Sequence, residues 1–397
     1  MNQQRIDELT AVYRDGLLED TLPFWIDHSV DREHGGFTVA LNRDGSVLDT
    51  DKGLWQQGRF SWLLGALYNR AQTLGLADDR RRAEWLALCR HGIEFIDQHG
   101  FDPADGRMWF LVTQDGRPLR KRRYAFTESF AAIAYGEYAK ATGSDEYAEK
   151  ARQCYHRMVE HFLDPKGIQP KFTDTRPMKS IGSAMITIIT AQELRDSIGL
   201  EEADEWIDRA IETIARDHMK HDLQVVMETV GPNGEIIDHF DGRTLNPGHA
   251  IEAAWFVMIE GNRRNDQQLI TMGQTMLDWM WARGWDSQYG GLLYFVDLGG
   301  LPVQEYWHDM KFWWPHNEAI IATLLAAQLT GDAKYETMHR QVHDWAYQHF
   351  ADPEYGDWFG YLHRDGRVSV ELKGNLWKGP FHLPRMQLLC WQILSEM

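Results

Sequence analysis

The stretch HFADPEYGDWFGYLHRDGRVSV, residues 349–370, reads as a helix end, a turn and a β-hairpin. Its aromatic, alternating residues are broken by Asp-Gly, a strong short-range hairpin signal, because such tight turns need positive φ. The same pattern recurs. HSVDREHGGF occupies 28–37, HGFDPADGRMWF 99–110, HFLDPKGIQPKF 161–172, KHDLQVVMETV 220–230 and GWDSQYGGLLYF 284–295. The aspartates Asp31, Asp102, Asp164, Asp222, Asp286 and Asp352 lie about 64 residues apart, a period that marks an array of supersecondary units.

Before each aspartate runs an amphipathic stretch, as in RAEWLALCRHGIEFIDQHG (82–100) and MGQTMLDWMWARGW (272–285), with apolar residues at helical spacing. After it come the hairpin segments, among them LNRDGSV (41–47) and LVTQDGRPL (111–119). A second helix follows, beginning near Trp55, Phe126, Ile181, His249, Pro315 and His382, and often ending near a glycine (Gly75, Gly143, Gly199, Gly331). Two helices in each of six units predict an all-α fold, an (α/α)6 barrel of twelve helices with short β-hairpins at one rim. Length alone would suggest two or three domains. The repeat makes residues 1–397 a single catalytic domain.

Composition narrows the function. Forty-one basic against 59 acidic side chains leave a net charge of −18, which argues against a nucleic-acid partner, since phosphate backbones need clustered Lys and Arg. Seventeen Trp, 14 Tyr and 17 Phe serve either a large core or the stacking of sugar rings. Cys89, Cys154 and Cys390 are few and far apart, with no disulfide framework or zinc pair, as in a reducing compartment. The N-terminal segment has no apolar run of the signal-peptide kind, and no 18-residue apolar run occurs. The expectation is a soluble cytoplasmic protein without a membrane partner.

The first turns of the second helices carry the polar chemistry: Gln56 and Arg59, Thr127 and Glu128, Ser180 and Ser183, His249 and Glu252, His316 and Glu318, His382 and Arg385. If equivalent positions face one barrel mouth, three histidines, carboxylates and two arginines meet there. Opposed imidazoles can remove and return protons near neutral pH. No HExxH, GxxxxGK[ST] or GxSxG is present, so no metal site is expected. KGNLWKG (373–379), with Lys373 and Lys378 around two glycines, reads as a solvated lid loop or, second, as an anion contact. A carboxylate pair for glycoside hydrolysis stays open at this point.

FWIDHSVDREHGGF, LWQQGRFSW, LNPGHAIEAAWF, KFWWPHNEAI, DPEYGDWFGYLHRDG and KGPFHLPR, in this order, closely resemble the N-acylglucosamine 2-epimerase family, which includes the mammalian renin-binding protein. The resemblance implies a homodimeric (α/α)6 barrel that interconverts N-acetylglucosamine and N-acetylmannosamine, with no required cofactor and ATP as an activator. It implies His249 and His382 as the acid/base pair, Glu252 orienting or tuning His249, and Arg59 bearing the oxygen of the open-chain carbonyl. Glu318, Trp314, His316, Asn246 and Arg385 are expected to contact the sugar. Related free-sugar enzymes carry a further histidine in the third unit. Here that stretch is SIGSAMITIITAQEL (180–194), an apolar wall suited to an acyl methyl group. The alternatives are an aldose–ketose isomerase or 2-epimerase for mannose-like sugars, a glycoside hydrolase, and a non-catalytic binding protein.

Overall fold

The computed structural model describes residues 1–76, 78–122, 124–163 and 171–397. Fourteen α-helices occur among them: α1 (Gln3–Asp15), α2 (Leu22–Ser29), α3 (Leu54–Arg70), α4 (Asp79–His99), α5 (Phe126–Thr142), α6 (Asp145–Leu163), α7 (Ile181–Ile198), α8 (Ala203–Thr213), the single turn α9 (Phe240–Arg243), α10 (Pro247–Arg264), α11 (Gln267–Gly284), α12 (Trp313–Thr330), α13 (Ala333–Phe350) and α14 (His382–Ser395). A π-helical segment, Gly16–Thr21, joins α1 to α2 into one long element.

Two rings result. Helices α3, α5, α7, α10, α12 and α14 form the inner ring, each packed on its successor, while α4, α6, α8, α11 and α13 back their inner partners. The N-terminal α1 backs α14, so the first helix completes the last unit. Across the seam, Trp62 of α3 meets Phe381 with ring centroids 5.6 Å apart, and Trp55 Nε1 donates to the Leu376 carbonyl at 3.0 Å. With α1 and α2 counted as one and the single turn α9 left out, this is the expected barrel of twelve helices.

The ring a helix joins follows from its composition. Every residue of α12 from Trp313 to Ala327 is buried, as befits a helix apolar all round. By contrast α8 buries only Ala203, Ile207, Ala210 and Ile211, a stripe at helical spacing. The inner helices begin within two residues of the expected positions. Gly143, Gly199 and Gly331 close α5, α7 and α12 in the left-handed conformation, and Asn265 does the same for α10.

The hairpins cluster at the N-terminal ends of the inner helices. Ala40–Leu41 pairs with Val47–Asp49, Leu111–Val112 with Pro118–Arg120, and Tyr361–Leu362 with Val368–Val370, all antiparallel. The two residues ahead of an inner helix then pair with the next unit's hairpin: Lys52–Gly53 with Leu111–Val112, and Lys311–Phe312 with Tyr361–Leu362. Each Asp-Gly turn has its glycine at positive φ (Gly45, Gly116, Gly366). A Cβ there would fall 2.1–2.4 Å from the ring of His28, His99 or His349.

The repeated aspartates pin these loops. Asp31 accepts from Lys52 at 2.8 Å, Asp102 from Lys121 at 2.6 Å, Asp286 from Lys311 at 3.1 Å, and Asp352 is paired with Lys373 at 2.9 Å. In the three buried pairs, those of Asp31, Asp286 and Asp352, losing one partner costs about 3–5 kcal/mol. Asp164 lies outside the described residues. The fourth unit departs from the expectation: Asp222 is exposed on a short 3-10 turn, and Asp217 instead takes the lysine, Lys179, at 2.6 Å. The extra π-helical turn Ile214–His218 shifts the register, so the acidic residue falls earlier in the chain.

Candidate active site

A cavity of about 1210 Å³ opens among the N-terminal ends of the inner helices and continues along the barrel axis. Arg59, His249, Glu252, Trp314, His382 and Arg385 all line it. They come from α3, α10, α12 and α14 and are brought together because each sits in the first two turns of its helix.

Trp314 stands between the two histidines. Its ring centroid lies 5.0 Å from that of His249 and 5.8 Å from that of His382. The close approach requires Gly248, where a Cβ would come 2.8 Å from the Trp314 ring. Met185, Ile186 and Ile189 of α7 supply an apolar side to the cavity, as the third unit's sequence suggests.

Each histidine has its Nδ1 against a carboxylate, which leaves Nε2 as the nitrogen available to a ligand. His382 Nδ1 lies 2.7 Å from Glu318 Oε1. The Glu318 carboxylate also accepts from Arg385 at 2.5 Å and from Trp255 Nε1 at 2.9 Å. His249 Nδ1 lies 3.0 Å and 3.2 Å from the two oxygens of Glu228. The electrostatics of the pair diverge. Burial lowers the His382 pKa well below the usual histidine value, and the charges of Arg385 and Arg59 push the same way. For His249 burial acts downward too, but the Glu228 carboxylate outweighs it and the net shift is upward.

Arg59 is enclosed by rings, with its guanidinium carbon 4.3 Å from the Trp55 centroid, 4.2 Å from Phe130 and 4.6 Å from Phe381. Among the described residues it forms no ion pair, and its buried Nε has no hydrogen-bond partner. Burial and the neighbouring Arg385 charge lower its pKa from the ordinary arginine range. A cation left uncompensated beside a cavity is placed to meet negative charge on a ligand. Glu252, Glu318 and His382 each offer a ligand atom within 4.8 Å of the others, a cation-sized cluster. The positive charge among them is the guanidinium of Arg385, which donates to Glu252 at 2.7 Å as well as to Glu318.

Three expected roles change, and a fourth is shared. His316 does not reach the cavity. Its Nε2 accepts from the Leu292 N–H at 2.9 Å, its Nδ1–H donates to the Phe312 carbonyl at 2.6 Å, and its ring stacks on Trp345. Gln57 and Glu128 do the same job in the first two units, accepting from the N–H groups of Phe37 and Met108. These three N–H groups belong to the residues that close equivalent loops, so His316 is a loop pin. Asn246, 3% exposed, caps α10 by accepting from the His249 N–H and does not line the cavity. Glu318 is fully buried beneath His382 and Arg385, away from the cavity surface. Glu252 holds Arg385 and its charge raises the His249 pKa, while the carboxylate hydrogen-bonded to His249 is Glu228.

Glu228 of KHDLQVVMETV lies in the bend between two short strands and not at a helix start, so the helix-start pattern does not point to it. Its signal was present all the same: a carboxylate in an otherwise apolar stretch is a residue type seldom buried without a partner. The loop 373–379 also differs from expectation. Lys373 and Lys378 are buried and paired with Asp352 and Asp357, so they serve neither a solvated lid nor an anion. The same loop contributes Asn375 and the half-exposed Trp377 to the cavity mouth.

The sequence profile of the N-acylglucosamine 2-epimerase (GlcNAc 2-epimerase) family matches residues 35–382. The N-acylglucosamine 2-epimerase of Rattus norvegicus is 36% identical over 392 residues, covering 96% of this chain and 90% of that enzyme. Among solved structures, the cellobiose 2-epimerase of Bacillus thermoamylovorans B4167 superposes with a TM-score of 0.81 at 19% identity, covering 98% of this chain and 100% of that one. A D-mannose isomerase gives 0.79 at 18% identity, covering 100% and 98%. At these identities the two structures speak for the barrel fold.

Proposed function

The chain belongs to the N-acylglucosamine 2-epimerase family and is a sugar 2-epimerase, and we propose that it interconverts N-acetyl-D-glucosamine and N-acetyl-D-mannosamine with His249 and His382 as the proton-transfer pair. The observation that carries this reading is the pair itself: two imidazoles on either side of Trp314, each held at Nδ1 by a carboxylate.

Inverting C2 of a 2-acylamino aldose requires the ring to open, because only then does the C1 carbonyl acidify the C2 hydrogen. One imidazole Nε2 takes that proton. The C–H electron pair becomes the C1–C2 double bond, and the carbonyl π pair moves onto the C1 oxygen. Arg59 faces that oxygen, where a preorganised cation stabilises developing charge. The second imidazole returns a proton to the other face of C2 and the carbonyl re-forms. Opposed bases match a transition state that is planar at C2. Trp314 stacks on the sugar, and Met185, Ile186 and Ile189 receive the acyl methyl group.

ATP activation, which the family resemblance implies, finds no fit in the loop singled out for anions, since Lys373 and Lys378 are already paired.

The test is incubation with N-acetylmannosamine in D2O, with and without ATP, followed by NMR at C2. Deuterium at C2 together with newly formed N-acetylglucosamine supports the proposal; exchange with no aldose tested refutes it. His249→Asn and His382→Asn are each expected to abolish turnover while circular dichroism stays unchanged. Near-normal turnover in either variant removes that residue from the mechanism.

A further inference from the structure

We infer that Glu228 is a positioning residue that makes His249 the proton-donating member of the histidine pair in the resting enzyme. This rests on the two-histidine reading above and adds to it which imidazole starts with the proton.

Both histidines have a glutamate at Nδ1, but the two carboxylates differ in what else they hold. Glu318 already shares its charge with the Arg385 guanidinium and accepts from Trp255. Arg385 also binds Glu252, and Arg59 stands nearby. Around His382, therefore, two carboxylates meet two guanidiniums, and protonating the imidazole there adds uncompensated positive charge.

Among the described residues Glu228 has no guanidinium partner; besides His249, the charges acting on it are those of Lys171 and His218. Its other side-chain hydrogen bond among the described residues comes from the Ser180 hydroxyl, which donates to Oε1 at the long distance of 3.4 Å. Both Glu228 oxygens lie within 3.2 Å of His249 Nδ1, so its negative charge is directed at one imidazole. The other groups facing His249 are Glu252, one turn along α10, which also favours the proton, and Lys171, which opposes it. His382 packs against the same Trp314 ring, and the charge of His218 acts on Glu228. The net direction agrees: His249 is shifted up and His382 down.

The backbone fixes this arrangement. Glu228 lies between the strands Val225–Val226 and Thr229–Val230, and its carbonyl accepts from the Ile181 N–H at the start of α7 at 3.0 Å. On the other side, Asn246 caps α10 on the His249 N–H. Donor and acceptor thus hang from two anchored segments.

In the resting enzyme His382 carries a free Nε2 lone pair and His249 an Nε2–H. His382 takes the C2 proton, the electron pair passes to the C1 oxygen, and His249 gives its proton to the opposite face. The proton then sits on His382, and exchange with solvent restores the resting distribution. The reverse reaction uses the other arrangement of the same single proton. The active form in both directions is therefore the singly protonated pair, which gives a bell-shaped profile of kcat/KM against pH. The acid limb belongs to His382 and the alkaline limb to His249.

The test is the pH profile of Glu228→Gln, measured beside His249→Asn. Glutamine can still accept from Nδ1–H but carries no charge, so His249 loses its proton at lower pH. An opposite charge in contact shifts a pKa by about 1–3 units, so the alkaline limb is expected to move acidward by about one unit or more. The acid limb is expected to stay in place, with the melting temperature unchanged. A uniform drop in kcat/KM with both limbs unmoved would overturn the inference, because that is what a purely structural role predicts. Residual turnover in His249→Asn would instead remove the reading on which it rests.

Discussion

Replacing Arg59 by methionine should separate catalysis from stability. The guanidinium sits 4.2–4.6 Å from the centroids of Trp55, Phe130 and Phe381 and forms no ion pair among the described residues. A desolvated cation–π contact is worth about 1–2 kcal/mol, so three rings offset about 3–6 kcal/mol. Against this stands the cost of taking the charge out of water, itself several kcal/mol even after relaxation, and the repulsion from Arg385. The two sides nearly cancel, so folding gains little from the charge. Methionine keeps an unbranched apolar chain among the same rings. The melting temperature of Arg59→Met is therefore expected to be unchanged or raised by a few degrees. Catalysis loses its oxyanion cation, a loss of about 10²–10³ in kcat, or about 3–4 kcal/mol. Scanning fluorimetry reads the first quantity, and the NMR-monitored rate of N-acetylmannosamine conversion reads the second. A kcat within tenfold of the parent refutes the oxyanion role. A melting temperature that falls in step with activity would show that Arg59 serves the fold instead.

Two further outcomes follow from the buried histidines. His316→Gln is expected to keep kcat within a few-fold and stability within about 1 kcal/mol, because glutamine already performs the same loop contact at position 57. A large loss of activity without unfolding would return His316 to the site. Burial pushes the pKa values of His316 and His343 down to about 3. Since the folded pKa lies below the unfolded one, the unfolded chain binds protons that the native state refuses. Stability is thus full above pH 6.5 and lost as pH falls from there towards 3. At pH 5 each group costs about 2 kcal/mol, so the melting temperature should drop between pH 7.5 and 5; a flat profile refutes this assignment.

The sequence by itself determined the repeat, and through it the barrel. Apolar spacing, Asp-Gly turns and terminal glycines are local signals, each carried by a few neighbouring residues, and six copies reinforce one another. They place the inner helix starts within two residues and so bring Arg59, His249, Trp314, His382 and Arg385 to one cavity. The fourth unit shows the limit of that reasoning, for one π-helical turn moved the pinning carboxylate from Asp222 to Asp217.

What the tertiary structure decided is which way equal-looking residues face. His249 and His316 occupy similar places at the starts of successive inner helices, yet one lines the cavity and the other satisfies a loop N–H. Spacing along a chain fixes a residue's height in the barrel. Its role depends on which unpaired backbone group or charge the next segment brings alongside. For His316 that was the Leu292 N–H; for His249 it was Glu228, from a bend between two strands 21 residues upstream. The same logic turned Glu318 into the support of His382 and the lysines of 373–379 into buried ion pairs. Those partners meet only when the ring closes, because a buried charge settles on whichever opposite charge the packing delivers to it.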